Sequence, residues 1–164
     1  MNWRVDNPSQ AYHPDFMKRA VELSALSLTE TGRGPFGAVI VYNGKIVAEA
    51  TNEVVKNNDP TCHGEINCIR LACQTLGTYD LSGAVLYSSC EPCPMCLSAC
   101  VWAGISKVYY ANTAVQAGNI GFKDEHIYEW LKGNKNVLNL TLEHHSDKKA
   151  EEVFNIYQQQ GMIY

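Results

Sequence analysis

The sequence predicts an α/β domain in which helices cover both faces of a mixed sheet. Two observations carry that prediction: an early β-hairpin signal, and after it a regular alternation of short apolar runs with helix-period segments. A hairpin supplies antiparallel strands, whereas strand–helix–strand alternation supplies parallel ones. The 164 residues suffice for one domain, 1–164, around one core, and no linker or internal repeat divides them.

Each element has its own signal. Residues 14–31 place Phe16, Met17, Ala20, Leu23 and Leu26 at helical spacing behind Pro14 and Asp15, and Gly32-Arg33-Gly34-Pro35 ends the run. Residues 36–42 are rich in β-branched side chains. Asn43-Gly44 then makes a two-residue turn, and residues 45–50 run back. Asp59-Pro60-Thr61 marks a helix start with Thr61 as N-cap, and residues 63–76 continue it. Residues 84–88 read as a buried strand, 92–103 as a helix closed by Gly104, and 106–111 as another strand. Residues 125–132 read as a short helix, 136–142 as a strand and 147–160 as a final helix, with 145–164 a C-terminal helix and tail.

Composition narrows the function classes. A formal charge of −4 and no basic stripe disfavour nucleic acid as a partner; the Lys148-Lys149 pair is followed at once by Glu151-Glu152. No apolar run approaches the roughly 18–20 residues needed to cross a bilayer. The opening Met1-Asn2-Trp3-Arg4-Val5-Asp6 lacks a signal-peptide pattern. Seven cysteines, an odd number clustered between Cys62 and Cys100, make a poor disulfide framework and point to metal ligands in a reducing, cytoplasmic setting.

The chemistry concentrates in His63-Gly64-Glu65 and Pro92-Cys93-Pro94-Met95-Cys96, with Asn52 beside them. Cys93 and Cys96 are three apart, so at a helix start both sulfurs fall on one side, where the N-terminal dipole favours thiolate. If the helix start at His63 faces them, its imidazole completes a His/Cys/Cys set suited to tetrahedral zinc with a fourth position open for water. Glu65 stands near enough to move that water's protons without being a ligand. The bland alternative is a closed structural site that also uses Cys62. Adjacent helical residues point about 100 degrees apart, and such a site has no use for Glu65. Cys68, Cys73, Cys90 and Cys100 read as small buried hydrophobes. His13, His126, His144 and His145 carry no usable ligand spacing.

These motifs, with residues 34–41 and Asn58-Asp59-Pro60-Thr61, resemble the cytidine deaminase-like superfamily, whose H-x-E and P-C-x-x-C signature marks zinc nucleobase deaminases. The resemblance covers nearly the whole chain and is closest to the branch of guanine and tRNA adenosine deaminases. It implies a three-layer α-β-α fold on a five-stranded mixed sheet. It also implies one zinc per subunit held by His63, Cys93 and Cys96, Glu65 as the catalytic proton shuttle, and a homodimer or larger oligomer.

Residues 117–128 and the terminal Tyr164 resemble small bacterial guanine deaminases. That likeness implies that Asp124 holds the guanine edge and that Tyr164 closes the pocket, in some relatives from a swapped neighbouring subunit. Asn52 would contact the base, and Phe36 and Trp102 would stack on it or line its pocket. Duller readings stand beside these: Asn52 as a strand-end backbone partner, Trp102 as core, Asp124 as a helix N-cap, Tyr164 as a frayed terminus. Gly64 departs from the Ala usual in this branch and resembles fungal-type cytosine deaminases, but Glu91-Pro92-Cys93-Pro94-Met95-Cys96 and Gly121-Phe122-Lys123-Asp124 resemble the guanine branch more closely. Guanine leads. Cytosine or another aminated heterocycle, such as a purine nucleoside or triazine, follows, then tRNA adenosine, and last a non-catalytic zinc-binding protein.

Overall fold

The computed structural model describes residues 10–161. Helix α1 (Pro14–Ala25) passes through a 3₁₀ turn, Leu26–Leu28, into the hairpin of β1 (Gly34–Tyr42) and β2 (Lys45–Asn52). Then follow α2 (Val54–Asn57), α3 (Gly64–Leu76), β3 (Val85–Cys90), α4 (Pro94–Trp102), β4 (Lys107–Asn112), α5 (Ala114–Asn119), α6 (Glu125–Leu131) and α7 (Lys148–Gln159). The first helix is shorter than the 14–31 pattern predicts because its last turn tightens at Leu26.

The sheet order is β2-β1-β3-β4, antiparallel except for the β3–β4 pair, which α4 joins as a parallel crossover. Asn43 and Gly44, with φ of 50° and 72°, make the predicted tight turn. Alternation along the strands splits the core into two layers. Val39, Val41, Val85 and Tyr87 meet Met17, Ala20 and Leu23 of α1 on one face. Ala38, Ile40 and Leu86 meet Cys68 and Ala72 of α3 and Cys100 of α4 on the other. Burying a Leu or Met fully contributes about 1.5–3 kcal/mol, so α1 is held mainly by Met17 and Leu23. Arg19 of α1 also grips Glu49 of β2 with two hydrogen bonds, at 2.8 and 2.7 Å.

The three layers are as expected, but among the described residues the sheet has four strands, not five. Residues 136–142 alternate like a strand yet pair with nothing, and Leu140 and Leu142 lie exposed. A strand needs a partner edge, and among the described residues no ladder includes this segment. No helix among the described residues is long and apolar enough to cross a membrane.

Candidate metal and active site

Two helix starts converge on one point. His63 is the N-cap residue of α3 and Cys93 that of α4, where Pro94 opens the helix and Cys96 lies in its first turn. Thr61 does not cap α3; its N–H and hydroxyl instead both donate to Asp59 Oδ1, at 2.7 and 2.8 Å. His63 Nδ1 lies 3.6 Å from Cys93 Sγ and 3.6 Å from Cys96 Sγ, and the sulfurs are 3.6 Å apart.

That triangle is the right size for the ion. Zinc bonds of about 2.3 Å to sulfur and about 2.1 Å to nitrogen, set at tetrahedral angles, give edges of about 3.6–3.8 Å. The hydrogen bond between the two sulfurs draws Cys93 down to about 4 and pushes Cys96 up, so one is held ready as a thiolate. Binding a divalent cation would release the remaining thiol proton. The trio is the one such group among the described residues, and Cys62 is not in it. The Cys62 thiol points to Asp59 Oδ2 at 3.3 Å, so the closed four-ligand site does not form.

Glu65, in the first turn of α3, is only 5 % exposed. Its Oε2 lies 3.4 Å from Cys96 Sγ and its Oε1 accepts from Ser88 Oγ at 3.2 Å. Burial raises its pKa above the usual carboxylate range, as a group that alternately takes and gives a proton requires.

Around this centre the sequence-expected residues fall unevenly. Asn52 is buried at the end of β2, its Oδ1 accepting from Val54 N at 3.3 Å. Phe36 sits in a bulge of β1, where Gly34 pairs with Asn52 and Gly37 with Thr51, and packs edge-to-face on Phe122 with ring centroids 4.8 Å apart. A Cβ on Gly64 would stand 3.2 Å from Phe36 O and 3.5 Å from Asn52 N, so the absent methyl faces the strands. Asp124 precedes α6 without making a side-chain cap. Burial first, then the negative charges of Cys93 and Glu91, raise its pKa. It lines a cavity of about 400 Å³ with Asn119, Lys123 and Tyr128.

Trp102, expected at the base or in the core, is 81 % exposed at the far end of α4. It lies six residues from Cys96, about 9 Å of helix rise. Tyr164 lies outside the described residues. The sequence reading missed Ser88, whose hydroxyl reaches Glu65, and Tyr128, whose hydroxyl donates to Pro92 O at 3.2 Å and so ties α6 to the cysteine loop. A hydroxyl inside a wholly buried strand was the available signal for Ser88.

Residues 11–112 match the family model of the cytidine and deoxycytidylate deaminase zinc-binding region. Guanine deaminase of Bacillus subtilis is 50 % identical over 117 residues, 71 % of this chain and 75 % of that one. A tRNA-specific adenosine deaminase of Agrobacterium fabrum is 40 % identical over 105 residues, 64 % of this chain and 68 % of that one. The crystal structure of the Bacillus subtilis guanine deaminase superposes with a TM-score of 0.84 at 40 % identity, covering 91 % of this chain and 95 % of that one. A guanine deaminase structure from Nitrosomonas europaea gives 0.64 at 30 % identity, covering 73 % and 69 %.

Proposed function

From the premise that the chain belongs to the cytidine and deoxycytidylate deaminase zinc-binding family, we propose that it hydrolyses guanine to xanthine and ammonia. The observation that carries the reaction class is the convergence of His63, Cys93, Cys96 and the buried Glu65. The likeness to guanine deaminase through nearly the whole chain supports the choice of base. His63, Cys93 and Cys96 would hold a zinc ion, which when bound would supply Lewis-acid activation of a water at neutral pH.

Glu65 takes one proton from the attacking water and passes it to ring N3 as the C2–O bond forms. It then moves the second water proton to the amine as the C2–N bond breaks. One water proton thus stays on xanthine and the other leaves with ammonia. Asn52 and Asp124 hold the polar edges of the base, and Phe36, braced by Phe122, covers a face. Closure of the pocket by Tyr164 belongs to the same reading.

A homodimer fits the surface. Leu97, Val101 and Trp102 of α4 and Tyr110 of β4 are exposed, and α7 buries no residue although it exposes Val153, Phe154 and Ile156. An exchanged C-terminal arm covers such groups, and Trp102 then reaches a pocket only across the interface. Seven free cysteines suit a reducing, cytoplasmic setting.

Ammonia release from zinc-replete protein given guanine, guanosine, cytosine, cytidine, adenine and aminotriazines in parallel tests the proposal. Turnover of guanine alone is the expected result. Turnover of cytosine, or of none of these, overturns the substrate assignment.

A further inference from the structure

We propose that Ser88 is a positioning residue for the deamination step: it anchors Glu65 through Oε1 and thereby leaves Oε2 as the oxygen that carries the proton. This rests on the reading of Glu65 as proton shuttle.

Ser88 lies on β3 and is fully buried, between Ala38 of β1 and Tyr110 of β4 in the ladder. Its Oγ has two hydrogen bonds whose directions are fixed by chemistry. The Cys90 backbone N–H, which can only donate, donates to Oγ at 3.4 Å. The single hydroxyl proton is then directed at Glu65 Oε1, 3.2 Å away. An ionised carboxylate can only accept, so the hydroxyl proton is what Ser88 offers Oε1, while a lone pair of Oγ takes the Cys90 N–H. Oε1 is therefore held as an acceptor, whereas Oε2 sits 3.4 Å from Cys96 Sγ, on the side of the ligand triangle. The two oxygens of one carboxylate thus have separate duties, and the division is made by a residue outside the His63–Cys93–Cys96 trio. A carboxylate anchored at one oxygen presents the other at a constant angle to the water and to the ring nitrogen, which is where proximity catalysis is gained or lost.

The test compares wild type with Ser88→Ala, Ser88→Thr and, as control, Ser89→Ala, whose hydroxyl accepts from Gly37 N at 3.0 Å. In Ser88→Ala, kcat for guanine falls by about ten- to a hundredfold, the scale of a lost hydrogen bond to a charged group. Zinc content is unchanged and KM stays within about twofold. Ser88→Thr restores most of kcat, and Ser89→Ala lowers Tm while keeping kcat. Infrared spectra of substrate-free protein give a second readout: the carboxylate band absent from Glu65→Gln shifts in Ser88→Ala and stays in place in Ser89→Ala. Full kcat in Ser88→Ala, an unmoved band, or an equal kcat loss in Ser89→Ala overturns the proposal. A wild type that turns over no base defeats the deaminase reading instead, and the band then decides the Ser88–Glu65 contact alone.

Discussion

Gly34 and Asn52 face each other across the β1–β2 ladder with no space for a side chain between them: a Cβ on Gly34 would stand 2.7 Å from Asn52 Oδ1 and 2.9 Å from its Cγ. Because Oδ1 already accepts from Val54 N, the Nδ2 protons are the part of the amide available to a base acceptor. Gly34→Ala pushes that amide aside. KM for guanine is expected to rise about tenfold, the equivalent of one hydrogen bond, with zinc content retained. Steady-state kinetics on the two proteins check this, and an unchanged KM removes Asn52 from the base contacts.

Glu65→Gln keeps the shape and the Ser88 partner but cannot accept a proton. Loss of kcat by about 10²–10⁴ is expected, the usual contribution of a positioned acid–base group. Metal analysis should find as much zinc as in wild type, since Glu65 is not one of the three convergent ligands. Near-normal turnover, or metal loss, contradicts the shuttle role.

The metal ligands join α3 to α4 at their starts, so zinc binding and folding are linked. Chelation is expected to lower Tm, and added zinc to restore it. Cys93→Ala should begin at the lower Tm and gain nothing from added zinc. Thermal scans with and without chelator decide the matter; identical Tm values for loaded and stripped wild type count against a structural link.

The Arg19–Glu49 pair fastens α1 to β2, and its guanidinium holds the Glu49 carboxyl below its usual range. A depressed folded-state pKa contributes stability above the unfolded value that is lost as pH falls through the folded one. The pair is part-exposed, so Glu49→Gln should cost only about 0.5–1 kcal/mol near neutrality. Urea unfolding should show that difference near pH 7 and its decline as pH falls below the ordinary glutamate range. A difference that persists in acid assigns the effect to packing.

The metal centre was legible in the sequence because its geometry is local: Cys93 and Cys96 are set by helical spacing, and each ligand group opens a helix. The parts that depend on distant pairing were not. The alternation at 136–142 looks like a strand, but no edge among the described residues receives it. Trp102 has the chemistry of a pocket residue, yet its place on α4 turns it outward. Helix α5 has a signal of its own in the sequence, since Thr113 and Gln116 spell a capping box, and the structure makes both of its bonds. Asp124 suits either a helix cap or a base contact by sequence; its carboxylate makes no cap bond and lines the cavity.

The close approach of Phe36 O to Gly64 also limits how this protein can change by descent. An alanine at Gly64 presses a methyl onto the carbonyl of the residue that braces the aromatic pair, so it is tolerated only if the Pro35–Phe36 bulge relaxes. A relaxed bulge with glycine still in place leaves a gap beneath Phe36. The two positions are therefore epistatic. A lineage passing between the glycine and alanine forms crosses an intermediate that is either crowded or underpacked, and the order of substitutions decides which.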